Sequence, residues 1–370
     1  MQWRLSSGGQ EPALSYTDLV QVHVYSALAA IGIGLGVGLL VFVPLVAISF
    51  RRRGTLTPGR LLLWAAVLIY FVAIWTYTLL PLPPSSDYAC VPPSFSLALV
   101  VEEIAGAISR GHPLTDFGLL QLIFNVLLFL PLGFFLRLLS RRGLIAALVL
   151  GFAVSLFIEL TQLTGVWGVY PCAYRMFDVG DLVTNTTGAA FGSLAALAVP
   201  ARLRGVDRTA DAAEPRPVTR TRRLLAMLCD ALGAGLTASA AGVAVQVWLQ
   251  YVVRDRAAVL DGTAAATASS TVPVLVWLAV ILATGRSVGD AAVELRYTGG
   301  PAPEPVARLL RFVGGIGGYL LLSALPQPFS LFAGLFALAA VVLVFTTAAG
   351  RGLPGLLARR RLEDARQRSE

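Results

Sequence analysis

Seven polar side chains lie in or beside apolar stretches where such groups are costly: Asn125, Glu159, Gln162, Arg175, Asp178, Asp181 and Asn185. The run SLFIELTQL sets Ser155, Glu159 and Gln162 at i, i+4 and i+7, one face of a helix. YRMFDVGDLVTNTTGAAFG steps Asp178, Asp181, Asn185, Gly188 and Gly192 by three or four along another. A charge near a bilayer centre costs about 2.5–3.5 kcal/mol on insertion scales. An interhelical hydrogen bond returns only about 0.6 kcal/mol on average. Burial of three acids therefore points to binding more than to stability, although Arg175 paired with Asp178 or Glu159, and amides tying helices together, would be the structural alternative. Three carboxylates against one guanidinium disfavour a bare phosphate and favour a hard cation, protons or a cationic ligand group. Carboxylate and amide oxygens suit magnesium or calcium at Glu159, Asp178 and Asp181, and such an ion could bridge to a lipid pyrophosphate. Glu159 and Asp178 could serve as acid or base, but no serine or cysteine motif accompanies a histidine, so no catalytic residue is assigned. His23 and His112, with no CxxC or HExxH, argue against a zinc site and read as interfacial residues more than as ligands.

A second group is closer to the C-terminus. RRLLAMLCD places Arg223 and Asp230 seven apart on one helical face, and Arg308 and Arg311 open a later apolar block. Arg223 with Asp230 reads equally well as a stabilising ion pair at the inner interface and as part of a transport site, with Arg308 and Arg311 grouped beside them.

The elements that carry both groups belong in a membrane. Of 370 residues, 56% are hydrophobic and 14% charged, and the mean hydropathy is +0.74. That balance excludes an ordinary soluble enzyme. The apolar excess falls in blocks of roughly 20 residues, the length that spans a bilayer core. About nine such blocks are expected, near 21–50, 60–80, 119–139, 144–164, 179–199, 223–253, 265–284, 308–325 and 329–349. The predicted fold is thus an all-α polytopic bundle. All 29 basic residues are arginine, and the pI near 9.9 carries no indication of a nucleic-acid partner. With the N-terminus outside and the C-terminus inside, all of them except Arg4, Arg110, Arg175, Arg254 and Arg256 fall on the cytoplasmic side. That orientation brings the seven polar residues to the outer leaflet level. The first apolar block is too long for a signal-peptide core and reads as a span.

PARLRGVDRTADAAEPRPVTRT over 200–221 lacks apolar periodicity and separates two membrane blocks. The expected domains are 1–200, a linker at 201–221, a second membrane block at 222–350 and a charged, solvated tail at 351–370. SFSLALVVEEIAGAISR, with Leu97, Val100, Val101 and Ile104 on one face, predicts a helix lying on the outer bilayer surface. Cys90 and Cys172 fall in outer segments, where a disulfide is expected; two unpaired thiols are the alternative. The glycine runs Gly32, Gly34, Gly36, Gly38 and Gly314, Gly315, Gly317, Gly318 follow no strand and read as close-packing surfaces.

NVLLFLPLG at 125–133, SLFIELTQ at 155–162 and R-x-x-D-x-x-D-x-x-x-N-x-x-G-x-x-x-G from Arg175 to Gly192 resemble the VanZ-like family over about residues 20–200. The resemblance implies a role in resistance to teicoplanin-type glycopeptides and marks the seven residues as motif positions. The block at 222–350 resembles an RDD-type membrane domain through RRLLAMLCD, GRSVGDAAVELRY and the pair Arg308 and Arg311, with Asp290 standing where a basic or neutral residue is expected. Some relatives of that domain are associated with cation and proton exchange. The combined expectation is a plasma-membrane envelope protein, more a binding factor than an enzyme, with membrane lipids or a cell-wall lipid precursor as partners. An ion or proton exchanger and an intramembrane lipid-processing enzyme are the alternatives.

Overall fold

The computed structural model describes residues 36–80, 82–83, 87–111, 115–201, 204–205 and 210–367. His23, His112, Gly32, Gly34 and the start of the first apolar block lie outside the described residues. The chain divides by its internal contacts into two units, one of residues 1–36 and 62–206, the other of 37–61 and 207–370. Residues 37–61, expected with the first block, therefore group with the second.

The first unit holds helices α2 (Pro58–Leu79, its first turn excepted), α3 (Ala98–Ser109), α4 (Phe117–Ser140), α5 (Leu144–Leu163) and α6 (Val179–Ala195); α1, residues 36–53, precedes them. α4 starts where the Asp116 carboxylate accepts from the Leu119 amide at 3.3 Å, and stops at Arg141, whose left-handed backbone (φ 56°) ends the helix. α6 starts on Asp178, whose Oδ1 accepts from the Gly180 amide at 2.8 Å. Ile74, Phe129 and Ile158 form the core between α2, α4 and α5. α6 packs on α4 without side chains between them: a Cβ at Gly133 would strike the Ala189 carbonyl, at Gly188 the Val126 carbonyl, and at Gly192 the Leu130 carbonyl. Outward, the long helices keep large apolar residues such as Ile69 (68% exposed) and Ile145 (79%), as lipid-facing surfaces do. Before α6, Cys90 and Cys172 are joined by a disulfide. Beside it the chain pairs in short parallel contact, with the Val91 amide donating to Ala173 O, Ser94 to Phe177 O and Val179 to Ser94 O.

The second unit holds residues 37–53 of α1, α7 (Arg220–Trp248, continued by a wider turn to Val253), α8 (Thr263–Thr284), α9 (Val288–Ala292), α10 (Glu304–Gly314), α11 (Ile316–Ser323), α12 (Leu331–Thr346) and α13 (Gly352–Leu357). Val46 and Phe50 of α1 pack with Ala226, Cys229, Val293, Leu295, Tyr297 and Leu362. α10 and α11 meet at a 55° bend across Gly314 and Gly315, where the expected 308–325 block is broken.

Two expectations need correction. The fold is mostly helical but includes an antiparallel pair, β1 (Leu295–Thr298) with β2 (Arg361–Asp364), in register Leu295 to Asp364. The tail is accordingly built into the unit through residue 367: Asp364, 2% exposed, takes ion pairs from Arg222 and Arg366 at 2.8 Å each. Charge of both signs looked solvated in isolation, yet here each sign finds a distant partner. Among the described residues five helices, α2, α4, α5, α7 and α8, are long and apolar enough to cross a membrane, or six if α10 and α11 form one broken span. The 179–199 block is a 17-residue helix interrupted by Asp181, Asn185 and three threonines, and the 329–349 block is apolar but only 16 residues long.

Candidate functional site

The three helices α4, α5 and α6 bring most of the sequence-selected polar residues to one end of the first unit. Asn125 Nδ2 on α4 donates to Asp181 Oδ1 on α6 at 2.6 Å. Glu159 on α5, 3% exposed, accepts through Oε2 from the backbone amide of Asp178 at 3.1 Å. The Asp178 side chain is spent partly on capping α6, which fixes where its carboxylate sits relative to Glu159 and Asp181. One turn deeper, the buried Asn185 donates from Nδ2 to Ser155 Oγ at 2.9 Å, while its Oδ1 has no hydrogen-bond partner.

Arg175 and Gln162 take a different role from the one their types suggest. Gln162 Nε2 donates to Thr78 O at 2.7 Å, and Arg175 donates to Thr78 O at 3.0 Å and to Leu80 O at 2.9 Å. They close the C-terminal end of α2, where unpaired carbonyls and the helix dipole favour a cation. Among the described residues no arginine forms an ion pair with Glu159, Asp178 or Asp181. The Arg175 guanidinium is thus committed to the carbonyls at the end of α2 and not to an ion pair with these acids.

One acid was missed. Glu103 projects from α3 beside Gly118 and lies close enough to Asp178 and Asp116 that, after burial, their carboxylates push its own carboxyl above the usual range. Asp116 is held below that range by hydrogen bonds from Arg110 and the Leu119 amide. The VVEE turn offered the signal, but the apolar face of the same helix drew the reading to the bilayer surface. Among the described residues no three His, Cys, Asp or Glu side chains gather as a metal ion requires. Glu159, Asp178 and Asp181 accordingly give no geometric support to a magnesium or calcium site.

In the second unit the sequence-selected residues part company. Arg223 pairs with Asp290, Nη1 to Oδ1 at 2.6 Å, and Arg311 Nη2 reaches Asp290 Oδ2 at 3.0 Å. Both guanidiniums stand over the Tyr297 ring, at 5.7 and 4.3 Å from its centroid. Asp230 instead accepts from Trp277 Nε1 at 2.9 Å, the Gly289 amide at 2.8 Å and Ser287 Oγ at 2.6 Å. Seven helical residues rise about 10 Å, so Arg223 and Asp230 share a face without touching. Arg308 lies apart, donating to Leu282 O and Ala283 O at the end of α8 and pairing with Glu304. Asp290, read in the sequence as a departure from pattern, is the centre of the cluster. The Ser287 to Asp290 capping box was its legible sign.

The polar end of α4, α5 and α6, glycine packing included, coincides with one known sequence pattern. Residues 67–200 match the family model described as VanZ/LLP1. The matched segment includes most of α2, all of α3 to α6, the disulfide and every member of the first polar group. It stops before the second unit's residues 207–370, so the RDD resemblance rests on those residues alone. No curated protein and no solved structure matches the chain.

Proposed function

We propose that this membrane protein of the VanZ type is a non-enzymatic factor of the plasma membrane, with nine crossings and the N-terminus outside. In this reading its acidic end faces outward, binds the cationic head group of an envelope lipid, and so protects a cell-wall lipid precursor from teicoplanin-type glycopeptides. The observation that carries it is the convergence of Asn125 with Asp181 and Glu159 with Asp178, with Arg175 diverted to the carbonyls of Thr78 and Leu80. An acceptor-rich end built from three carboxyls suits an ammonium group. The exchanger alternative draws less support, because in the RDD-like block both Asp230 oxygens are engaged and Asp290 is held by two arginines.

The test is glycopeptide susceptibility in cells lacking the protein, complemented at matched membrane abundance. Asp178→Ala and Asp181→Asn are expected to fail to restore resistance where Arg223→Ala restores it. Unchanged susceptibility in every strain would overturn the reading and make ion flux in proteoliposomes the next measurement.

A further inference from the structure

The apolar face expected on SFSLALVVEEIAGAISR forms in α3, but its side chains divide between two directions. Val100 and Ala107 turn to the protein: a Cβ at Gly180 on α6 would meet Val100 Cγ2 at 2.7 Å, and Ala107 is fully buried. Leu97, Val101, Ile104 and Ile108 instead stay between 40% and 67% exposed. We propose that this second row is a lipid-docking surface, which seats α3 at the boundary of head groups and acyl chains in the leaflet where α4 begins.

The helical period sorts the surroundings of α3. At about 100° per residue, the four exposed apolar residues lie within about 60° of one another and about 80° from the face of Val100 and Ala107. Glu103 and Arg110, both exposed, fall on the side roughly opposite the row. A helix lying flat beside a bundle at a membrane surface has these three neighbours: protein on one flank, hydrocarbon below and water above. With 12 residues, α3 is about 18 Å long and does not span a core about 30 Å thick. Its level is set by α4, because Glu103 Cδ lies 3.4 Å from the Cβ position of Gly118 in the first turn of that span. Phe117 in the same turn is 70% exposed, and Trp167, just past the end of α5, is 58% exposed. Exposed aromatic rings at the ends of spans mark the membrane–water interface. Two turns deeper, Phe124 and Leu127 of α4 are exposed as lipid-facing residues are, so the α3 row adjoins a surface that already meets lipid.

The docking row is not the face that the sequence suggested, since Val100 leaves it and Ile108 joins it. That exchange matters for the acidic end. Val100 rests on Gly180, which stands between Asp178 and Asp181, so one helix separates the leaflet from the start of α6. A lipid head group would then reach the acids sideways from the leaflet. The seating of α3 follows from its packing and does not rest on the glycopeptide reading; what that reading gains is a lateral route for its ligand.

The test uses full-length protein with Cys229→Ala and the Cys90 to Cys172 disulfide kept. Val101→Cys, Ile104→Cys, Ile108→Cys, Glu102→Cys and Ser109→Cys are made singly, labelled with a nitroxide and reconstituted in vesicles of phosphatidylglycerol and phosphatidylethanolamine. All five positions are exposed, so no label displaces a packed side chain. Electron paramagnetic resonance then reads collision with oxygen, which concentrates in hydrocarbon, and with a water-soluble nickel chelate present on both sides of the membrane. Labels at 101, 104 and 108 are expected to favour oxygen, at a depth of about 5–10 Å, and labels at 102 and 109 to favour the chelate. Chelate access at 101, 104 and 108 equal to that at 102 would place the row in water. Access by neither reagent would show the row covered by protein, whether another part of this chain or a second copy. Either result overturns the proposal and leaves the susceptibility test untouched, so the two readings fail separately.

Discussion

At the scale of single residues, charge in this protein is placed by distant partners. Asp364 shows the energetic consequence. Burial acts to raise its carboxyl, but bonds from the Arg366 side chain and amide, the Arg216 amide and the Arg222 guanidinium outweigh that and hold it down at about 2. An unfolded aspartate titrates near 3.9. The folded value is the lower one, so the stabilisation is present above about pH 4 and is lost as pH falls through about 2. Asp364→Asn should therefore melt below wild type in detergent at pH 7, and the two melting curves should converge as the pH approaches 2. Persistence of the gap at the acid end would show that packing, and not charge, makes the difference. The same logic explains what sequence inspection could and could not give. Asp178, Asp181 and Asn185 were legible because a helical period places them together. For Asp290 only the local capping box was legible and not the ion pair with Arg223, 67 residues away, and for Asp364 the pair with Arg222, 142 residues away, left no local trace.

At the scale of elements, apolar length reveals the helices and glycine spacing reveals how closely they approach. Gly188 and Gly192, four apart on α6, meet the α4 backbone at Val126 and Leu130, and Gly133 answers from α4 at Ala189. Close approach is what lets Asn125 reach Asp181 at 2.6 Å. Gly192→Leu has no rotamer that avoids the Leu130 carbonyl, so α6 must move away from α4. The expected cost is about 1–3 kcal/mol or more, read as a lower melting temperature, together with loss of resistance even though no acid has been changed. Gly334→Leu, with nothing among the described residues within 4 Å of its Cβ position, is the control and should melt like wild type. The bend between α10 and α11 and the strand pair β1 with β2 escape this kind of reading. A pair of glycines inside an apolar run is also the pattern of tight helix packing, and a four-residue strand in a charged tail has no period long enough to register.

At the scale of the whole molecule, the proposed orientation rests on arginine placement, and it would set which leaflet the acidic end meets. Nearly all arginines lie in segments that a nine-crossing chain with its N-terminus outside would leave in the cytoplasm. Arg110 and Arg175 are exceptions with evident reasons: Arg110 is paired with Asp116 at 2.6 Å and Arg175 closes the end of α2. The bias is therefore stronger than a raw count suggests, since exceptions bound to local partners carry little weight in topology. The exposed positions Glu102 and Arg256 should then lie outside and the exposed Arg142 inside. With Cys229 replaced by alanine and the Cys90 to Cys172 disulfide kept, single cysteines at 102 and 256 should react with a membrane-impermeant maleimide in intact cells. A cysteine at 142 should react only after the membrane is opened. Labelling of 142 in intact cells would invert the first unit, turn the acidic end toward the cytoplasm, and remove the basis for a role in shielding an outer-leaflet lipid.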